Sequence, residues 1–290
     1  MKKSLLVTFS ILIIAVLGAA IFVSFPKTEQ TAKKKIVASI FSTYDIARNV
    51  VGDKLSVELI LPPGASPHTY EPSPQDAVKM QNAEIVFVVG YGLDIWAENL
   101  AAANAPQAKI VTLDRSINLK MFEGSVDPHY FVSVSNAAII ARTIMEEAIK
   151  IDPHNTAYYQ TSARNYNSQL EDLFNQGQAK LSTLTDKRLI TFHEAFAYFA
   201  QDFGLEIAAT IEPFPGKEPT AQYLAQVSAI IDKYHIKALF KEPQLSSVVL
   251  EGLARDKGIA ILTLDPEGGT ANSFIQMMRN NIETVWEGMK

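Results

Sequence analysis

The sequence predicts an α/β protein of two Rossmann-like lobes, each a parallel sheet flanked by helices, joined by one long rigid helix. Three observations predict it. Short β-branched apolar runs alternate with helix-like stretches across residues 36–113, and the same alternation returns across 187–290. Between them lies a stretch whose apolar residues recur three and four apart. Strands alternating with helices build parallel sheets covered on both faces. With 290 residues, 48% of them hydrophobic, the chain has material for two domains of ordinary size.

The first lobe is assigned to 36–151. Its strand runs are 36–40, 57–61, 85–89 and 109–113; Pro62-Pro63-Gly64 ends the second, Gly90 the third and Asp114 the fourth. Helical stretches fall at 44–51, 73–81 and 93–103. The connecting helix is assigned to 152–185. Asp152 is a good cap and Pro153 suits the first turn. Tyr159, Ala163, Tyr166, Leu170, Leu173 and Phe174 then line one face. A helix of about 30 residues is ~45 Å long and would span both lobes; two shorter helices broken near Gly177 are the alternative. The second lobe, 186–290, has strand runs at 187–191, 207–211, 238–240 and 259–264. Helical stretches fall at 195–203, 220–234 and 246–257, and a last helix starts near Asn272.

Ahead of the lobes, Lys2 and Lys3 precede an apolar run at 5–25. A basic start and an apolar run mark an export signal, and Gly18-Ala19-Ala20 would suit cleavage. The run is also long enough to cross a ~30 Å hydrocarbon layer. Residues 1–26 are therefore either a cleaved signal peptide or an N-terminal membrane anchor, and the polar segment 27–35 is a linker. The formal net charge is −5, and since the first 26 residues hold two lysines and no acid, the remainder carries −7. An acidic body argues against nucleic acid as a partner. There is no cysteine, which excludes disulfides, thiolate nucleophiles, thiolate zinc sites and a lipid-modified cysteine anchor.

A metal site must therefore use nitrogen and oxygen. Of the five histidines, His68, His129 and His193 each follow a strand or a turn-rich loop and precede a helix. Ligands of open α/β sheets bind beyond the carboxyl ends of the strands, so these imidazoles would converge in the cleft between the lobes. Asp265 ends the strand run at 259–264 and is the fourth candidate. Three imidazoles and a carboxylate form a four-coordinate set that zinc accepts at ~2.0–2.2 Å. Singly, a histidine at a strand end more often hydrogen-bonds within its loop, and Asp127-Pro128 and Asp265-Pro266 read as turns. Spacing alone leaves both readings open. His154, at a helix start, and His235, at a helix end, are assigned to structure. Asp45, Glu71, Glu212 and Glu242 would support ligands or simply face solvent. No Walker A, Gly-x-Ser-x-Gly or His-Glu-x-x-His pattern is present, and Gly90-Tyr91-Gly92 reads as a turn.

Over 36–290 the chain resembles the zinc/manganese substrate-binding proteins of bacterial ABC transporters. The most specific segment is Pro67-His68-Thr69-Tyr70-Glu71-Pro72-Ser73-Pro74, similar to the family signature around its first metal histidine. Asp127-Pro128-His129 is similar to the second-ligand segment, the run from Thr191-Phe192-His193-Glu194 to Phe199 to the third, and Leu264-Asp265-Pro266 to the fourth. The resemblance implies a metal buried between two lobes and delivered to an ABC-transporter membrane permease. It also implies His68, His129, His193 and Asp265 as ligands, and Zn2+ rather than Mn2+ as cargo, because manganese members usually carry glutamate where His193 stands. Softer nitrogen ligands point the same way. Two departures stand out. Tyr130-Phe131-Val132-Ser133 replaces a segment that usually holds a tryptophan and an aspartate, which questions the hydrogen-bonded support of His129. The stretch 116–126 has no histidine, so no accessory metal-gathering loop is expected. The expected protein is an exported monomer, periplasmic or on the outer face of the cytoplasmic membrane, and not an enzyme. Its rivals are a manganese carrier of the same fold, a metal-binding surface adhesin, and a secreted zinc hydrolase with Glu71 or Glu194 as base.

Overall fold

The computed structural model describes residues 33–212, 218–246, 248–269 and 271–290. The N-terminal signal or anchor at 1–26 and the linker residues 27–32 lie outside the described residues. No helix among the described residues is long and apolar enough to cross a membrane.

Each lobe is a four-stranded parallel sheet. In the first, β1 (Lys35–Ala38), β2 (Ser56–Leu59), β3 (Ala83–Val88) and β4 (Lys109–Thr112) stand in the order β2-β1-β3-β4. After a two-stranded antiparallel hairpin, β5 (Met121–Phe122) and β6 (Ser125–Val126), the second lobe repeats the plan. There β7 (Arg188–Thr191), β8 (Glu206–Thr210), β9 (Ala238–Lys241) and β10 (Ala260–Thr263) stand in the order β10-β9-β7-β8. Read from its first strand, each sheet winds one way and then reverses. The reversal lies between β1 and β3 in one lobe and between β7 and β9 in the other, and such points are where open sheets bind ligands. The inner strands are near-continuous apolar runs because both faces are covered; in β3, Ile85, Val86, Phe87 and Val88 are all buried.

The predicted helices are present: α1 (Phe41–Val51), α2 (Pro74–Met80) and α3 (Ile95–Asn104) in the first lobe. One further helix, α4 (Val134–Ile151), fills a stretch to which the sequence reading gave no element. Ser133 caps it, accepting from the Asn136 amide, and Val134, Ala137, Ile140, Ala141, Ile144 and Ala148 form its buried stripe. The connecting helix α5 (Thr156–Leu181) has 26 residues and is unbroken at Gly177. Pro153–Asn155 forms a separate 3-10 turn before it, which shortens the expected rod to ~39 Å. The second lobe adds α6 (Ala197–Phe203), α7 (Ala221–Tyr234), α8 (Val248–Lys257) and α9 (Phe274–Met289).

The lobes share one core. Ile36, Phe87 and Ile144 of the first lobe belong to the same buried cluster as Leu173 of α5 and Phe199, Phe240, Met278 and Ile282 of the second. A smaller cluster of Ile190, Ile211, Val227, Ile231, Leu239 and Leu250 underlies α7 and α8. Polar ties reinforce the junction. Asp202 of α6 accepts from the Ser133 hydroxyl at 2.9 Å and the Ser135 amide at 3.2 Å. Asp45 of α1 accepts the Phe274 amide at the start of α9 at 2.9 Å.

Candidate metal centre

His68 sits in the proline-rich loop after β2, which is pinned on both sides of it. The Trp96 indole donates to the Pro67 carbonyl at 3.0 Å, and the Tyr70 ring packs edge-on to Trp96 at 4.9 Å. The Tyr70 hydroxyl donates to Asp76 at 2.7 Å, and the same carboxylate oxygen accepts the Ser73 amide and hydroxyl at the start of α2. Burial pushes the Asp76 carboxyl up, but these hydrogen bonds and Lys79 outweigh it and hold the group down at about 2.

His129 opens a 3-10 turn, His129–Phe131, directly after the hairpin. Asp127 Oδ1 accepts from the His129 amide at 2.9 Å and from ring Nδ1 at 2.8 Å. The support expected from beyond His129 thus comes from two residues before it, and the Asp-Pro pair read as a turn holds the imidazole. The divergent residues serve packing instead: Tyr130 and Phe131 are buried, and the Tyr130 hydroxyl donates to the Val89 carbonyl. His193 follows β7, and Glu242 follows β9 across the reversal point. Glu242 Oε1 accepts from His193 Nδ1 at 2.5 Å and from its amide at 3.3 Å.

These contacts fix the chemistry of the centre. A carboxylate only accepts, so Nδ1 of His129 and of His193 carries a proton, which leaves each Nε2 as the donor atom facing the centre. The Nε2 atoms converge: His129 lies 3.2 Å from His68 and 3.4 Å from His193. Among the described residues the three imidazoles form a group able to hold a metal, with one ligand atom from each within 4.8 Å of the others. Lost solvation, then the two neighbouring rings, pulls His68 down to about 3; burial likewise pulls His129 down, against the opposing pull of Asp127. Both are neutral at physiological pH and available as ligands.

Asp265 lies just past β10 but outside that group. Its Oδ1 accepts from the Gln244 amide group at 2.9 Å and from the Glu267 and Gly268 amides at 3.0 and 2.9 Å. The fully buried Glu267, which the sequence did not single out, stands near it. Burial, then the charges of Asp265, Glu242 and Asp94, pushes its carboxyl well above the ordinary range. His154 lies in the turn before α5 and His235 ends α7 in a left-handed conformation, both outside the group. Asp45 bonds the start of α9, and Glu71 is exposed.

Beside the imidazoles lies a chamber of about 200 Å³, lined by His68, His129 and His193, by the hairpin and by Asp127 and Glu194. Burial, then the charge of Asp127, pushes Glu194 up to about 6. From the second lobe, the Tyr198 hydroxyl of α6 donates to the Asp127 carbonyl at 3.0 Å and accepts the Lys120 amide at 2.8 Å, so α6 fixes the base of the hairpin.

The family of the zinc-uptake complex component A, periplasmic (ZnuA), matches residues 36–288. The manganese-binding lipoprotein MntA of Halalkalibacterium halodurans is 26% identical over 298 aligned positions, covering 99% of either chain. The crystal structure of ZnuA superimposes with a TM-score of 0.82 at 28% identity, covering 89% of this chain and 100% of that one. The SBP FpvC of Pseudomonas aeruginosa, solved in complex with Mn2+, gives 0.80 at 29% identity, covering 89% and 98%.

Proposed function

The chain belongs to the family of periplasmic zinc-uptake components, and from that footing we propose that it captures Zn2+ outside the cytoplasm and hands it to an ABC-transporter membrane permease. Members of that family are solute-binding transport proteins, not enzymes, which removes the secreted hydrolase. The observation that carries the reading is the convergence of three Nε2 atoms, two of them oriented by carboxylates on the far side of the ring.

The proposed ligands are His68, His129, His193 and Asp265. Two features support zinc. Nitrogen donors favour it over manganese, which prefers oxygen. In a tetrahedron with Zn–N bonds of ~2.0–2.1 Å, neighbouring donors stand ~3.3–3.4 Å apart, beside separations here of 3.2 and 3.4 Å. Asp265 closes the set from the second lobe by a small loop movement, leaving no open position for chemistry. Manganese is the second reading, favoured by the manganese-binding relatives.

Metal analysis of protein purified without added metal, followed by competition titration of Zn2+ against Mn2+, tests this. Zinc is expected to be retained and to displace manganese; preferential retention of manganese refutes the cargo. The His68→Ala/His193→Ala variant is expected to lose tight binding, and affinity equal to the wild type refutes the site. X-ray absorption of the loaded protein is expected to show three nitrogens and one oxygen, the oxygen lost in Asp265→Ala.

A further inference from the structure

We propose that Gln244 is a positioning residue that holds Asp265 off the imidazoles, so that the ion is first seated on three nitrogens and leaves more easily than a fully closed set would allow. This rests on the reading of Asp265 as fourth ligand and adds what governs its entry.

In its sheet β9 lies between β10 and β7, and the tripeptide Glu242-Pro243-Gln244 that follows it reaches both neighbours. Glu242 accepts from His193, past the end of β7. Gln244 Nε2 donates to Asp265 Oδ1, past the end of β10, at 2.9 Å. The same oxygen accepts the amides of Glu267 and Gly268, but those belong to Asp265's own turn and travel with it. Of these three donors, Gln244 alone ties the carboxylate to another strand. The main chain of Asp265 is held separately. Its amide donates to Oδ1 of the buried Asn281 at 2.9 Å, and Nδ2 of Asn281 donates to its carbonyl at 2.8 Å. Asp265 therefore pivots about a main chain pinned to α9. The tie to Gln244 is the one that must give before the carboxylate joins the imidazole group, outside which it stands.

Two further observations fit a latch better than a structural brace. Gln244 Oε1 is buried without a hydrogen-bond partner among the described residues. A half-satisfied amide is a poor stabiliser, since an apolar side chain of similar length avoids the cost of the unpaired oxygen. The turn after Asp265 also lies against the loop that carries His68. A Cβ on Gly269 would stand 3.0 Å from the Gly64 Cα and 3.8 Å from Gln244 Nε2, so the turn is seated between the latch and the first-ligand loop. A hydrogen bond donated to the carboxylate competes for its lone pairs, so Asp265 reaches a metal at the expense of that bond.

The test measures Zn2+ affinity by chelator competition and Zn2+ release into excess chelator. It compares full-length wild-type protein with Gln244→Met, Gln244→Leu, Asp265→Ala and Gln244→Met/Asp265→Ala. Gln244→Met and Gln244→Leu are expected to bind Zn2+ about tenfold more tightly and to release it about tenfold more slowly, the scale of one hydrogen bond to a charged group. Structural damage loosens a site, so a gain in affinity is a readout that a mere brace does not give. Gln244→Met, close to glutamine in length, carries the test if Gln244→Leu fails to fold. Asp265→Ala is expected to release Zn2+ faster. The double variant is expected to match Asp265→Ala alone, because the latch acts only through that carboxylate. Unchanged or weaker binding in Gln244→Met overturns the proposal, and so does a gain that survives in the double variant. Asp265→Ala that binds and releases Zn2+ like the wild type overturns the fourth-ligand reading itself. Weaker binding in Asp265→Ala with no change in Gln244→Met removes only the latch.

Discussion

Two carboxylates far apart in sequence do the same work. Asp127 stands two residues before His129, and Glu242 stands 49 residues after His193, yet each accepts the Nδ1 proton of its imidazole. Removing such a partner while keeping its shape costs metal affinity through lost orientation and basicity. Asp127→Asn and Glu242→Gln are therefore each expected to weaken Zn2+ binding by about 10–100-fold with folding intact, as read by chelator competition and circular dichroism. Asp76 makes a prediction of a different kind. Its carboxyl is held at about 2 in the folded chain, below the ~3.9 of an unfolded aspartate. A depressed acid stabilises the fold above the unfolded value and loses that contribution as pH falls through the folded one. Melting curves are expected to lose stability between about pH 4 and pH 2, and Asp76→Asn is expected to flatten that window. The three histidines were legible because each follows a turn-rich loop or strand end. Of their partners, Glu242 stood among four candidate supports and Asp127 read as a turn, because a carboxylate that orients a ring has no sequence mark separating it from one that faces water.

At the scale of elements, Gly177 is the tightest test of how the connecting helix sits. A Cβ there would meet Phe203 at 2.6 Å and Ile282 at 2.9 Å, so the missing side chain is what lets α5 lie against α6 and α9. Gly177→Ala is expected to cost about 1–3 kcal/mol through overpacking, despite alanine's better helix propensity. A higher melting temperature in differential scanning calorimetry would refute the close approach. A glycine that reads as a possible break is thus a contact point between the connecting helix and the second lobe. The eight strands of the two sheets were legible as short apolar, β-branched runs, several of them ended by proline, glycine or aspartate. The hairpin was not, since strands of two residues are too short to show an alternation. The capped, amphipathic α4 was legible in principle; the wide gap between the His129 turn and the connecting helix was its signal.

The whole molecule is less divisible than a drawing of two lobes suggests. One buried cluster runs through both lobes and the connecting helix, and Asp202, Tyr198 and Asp45 tie the halves with hydrogen bonds. A wide hinge would have to open that core, so metal binding is expected to move loops and not whole lobes. Scattering profiles of apo- and zinc-loaded protein should superimpose; a marked contraction on loading would sink this expectation. The clasp between Asp45 and Phe274 joins positions 229 residues apart, and α9 carries Phe274, Met277, Met278, Ile282 and Val285 into the shared core. A helix made after all the strands of both sheets therefore completes a core that α1 opens. A growing polypeptide cannot close this core until α9 has been made, and such long-range closure is slow. Synthesis thereby holds both lobes short of their shared core until α9 has emerged.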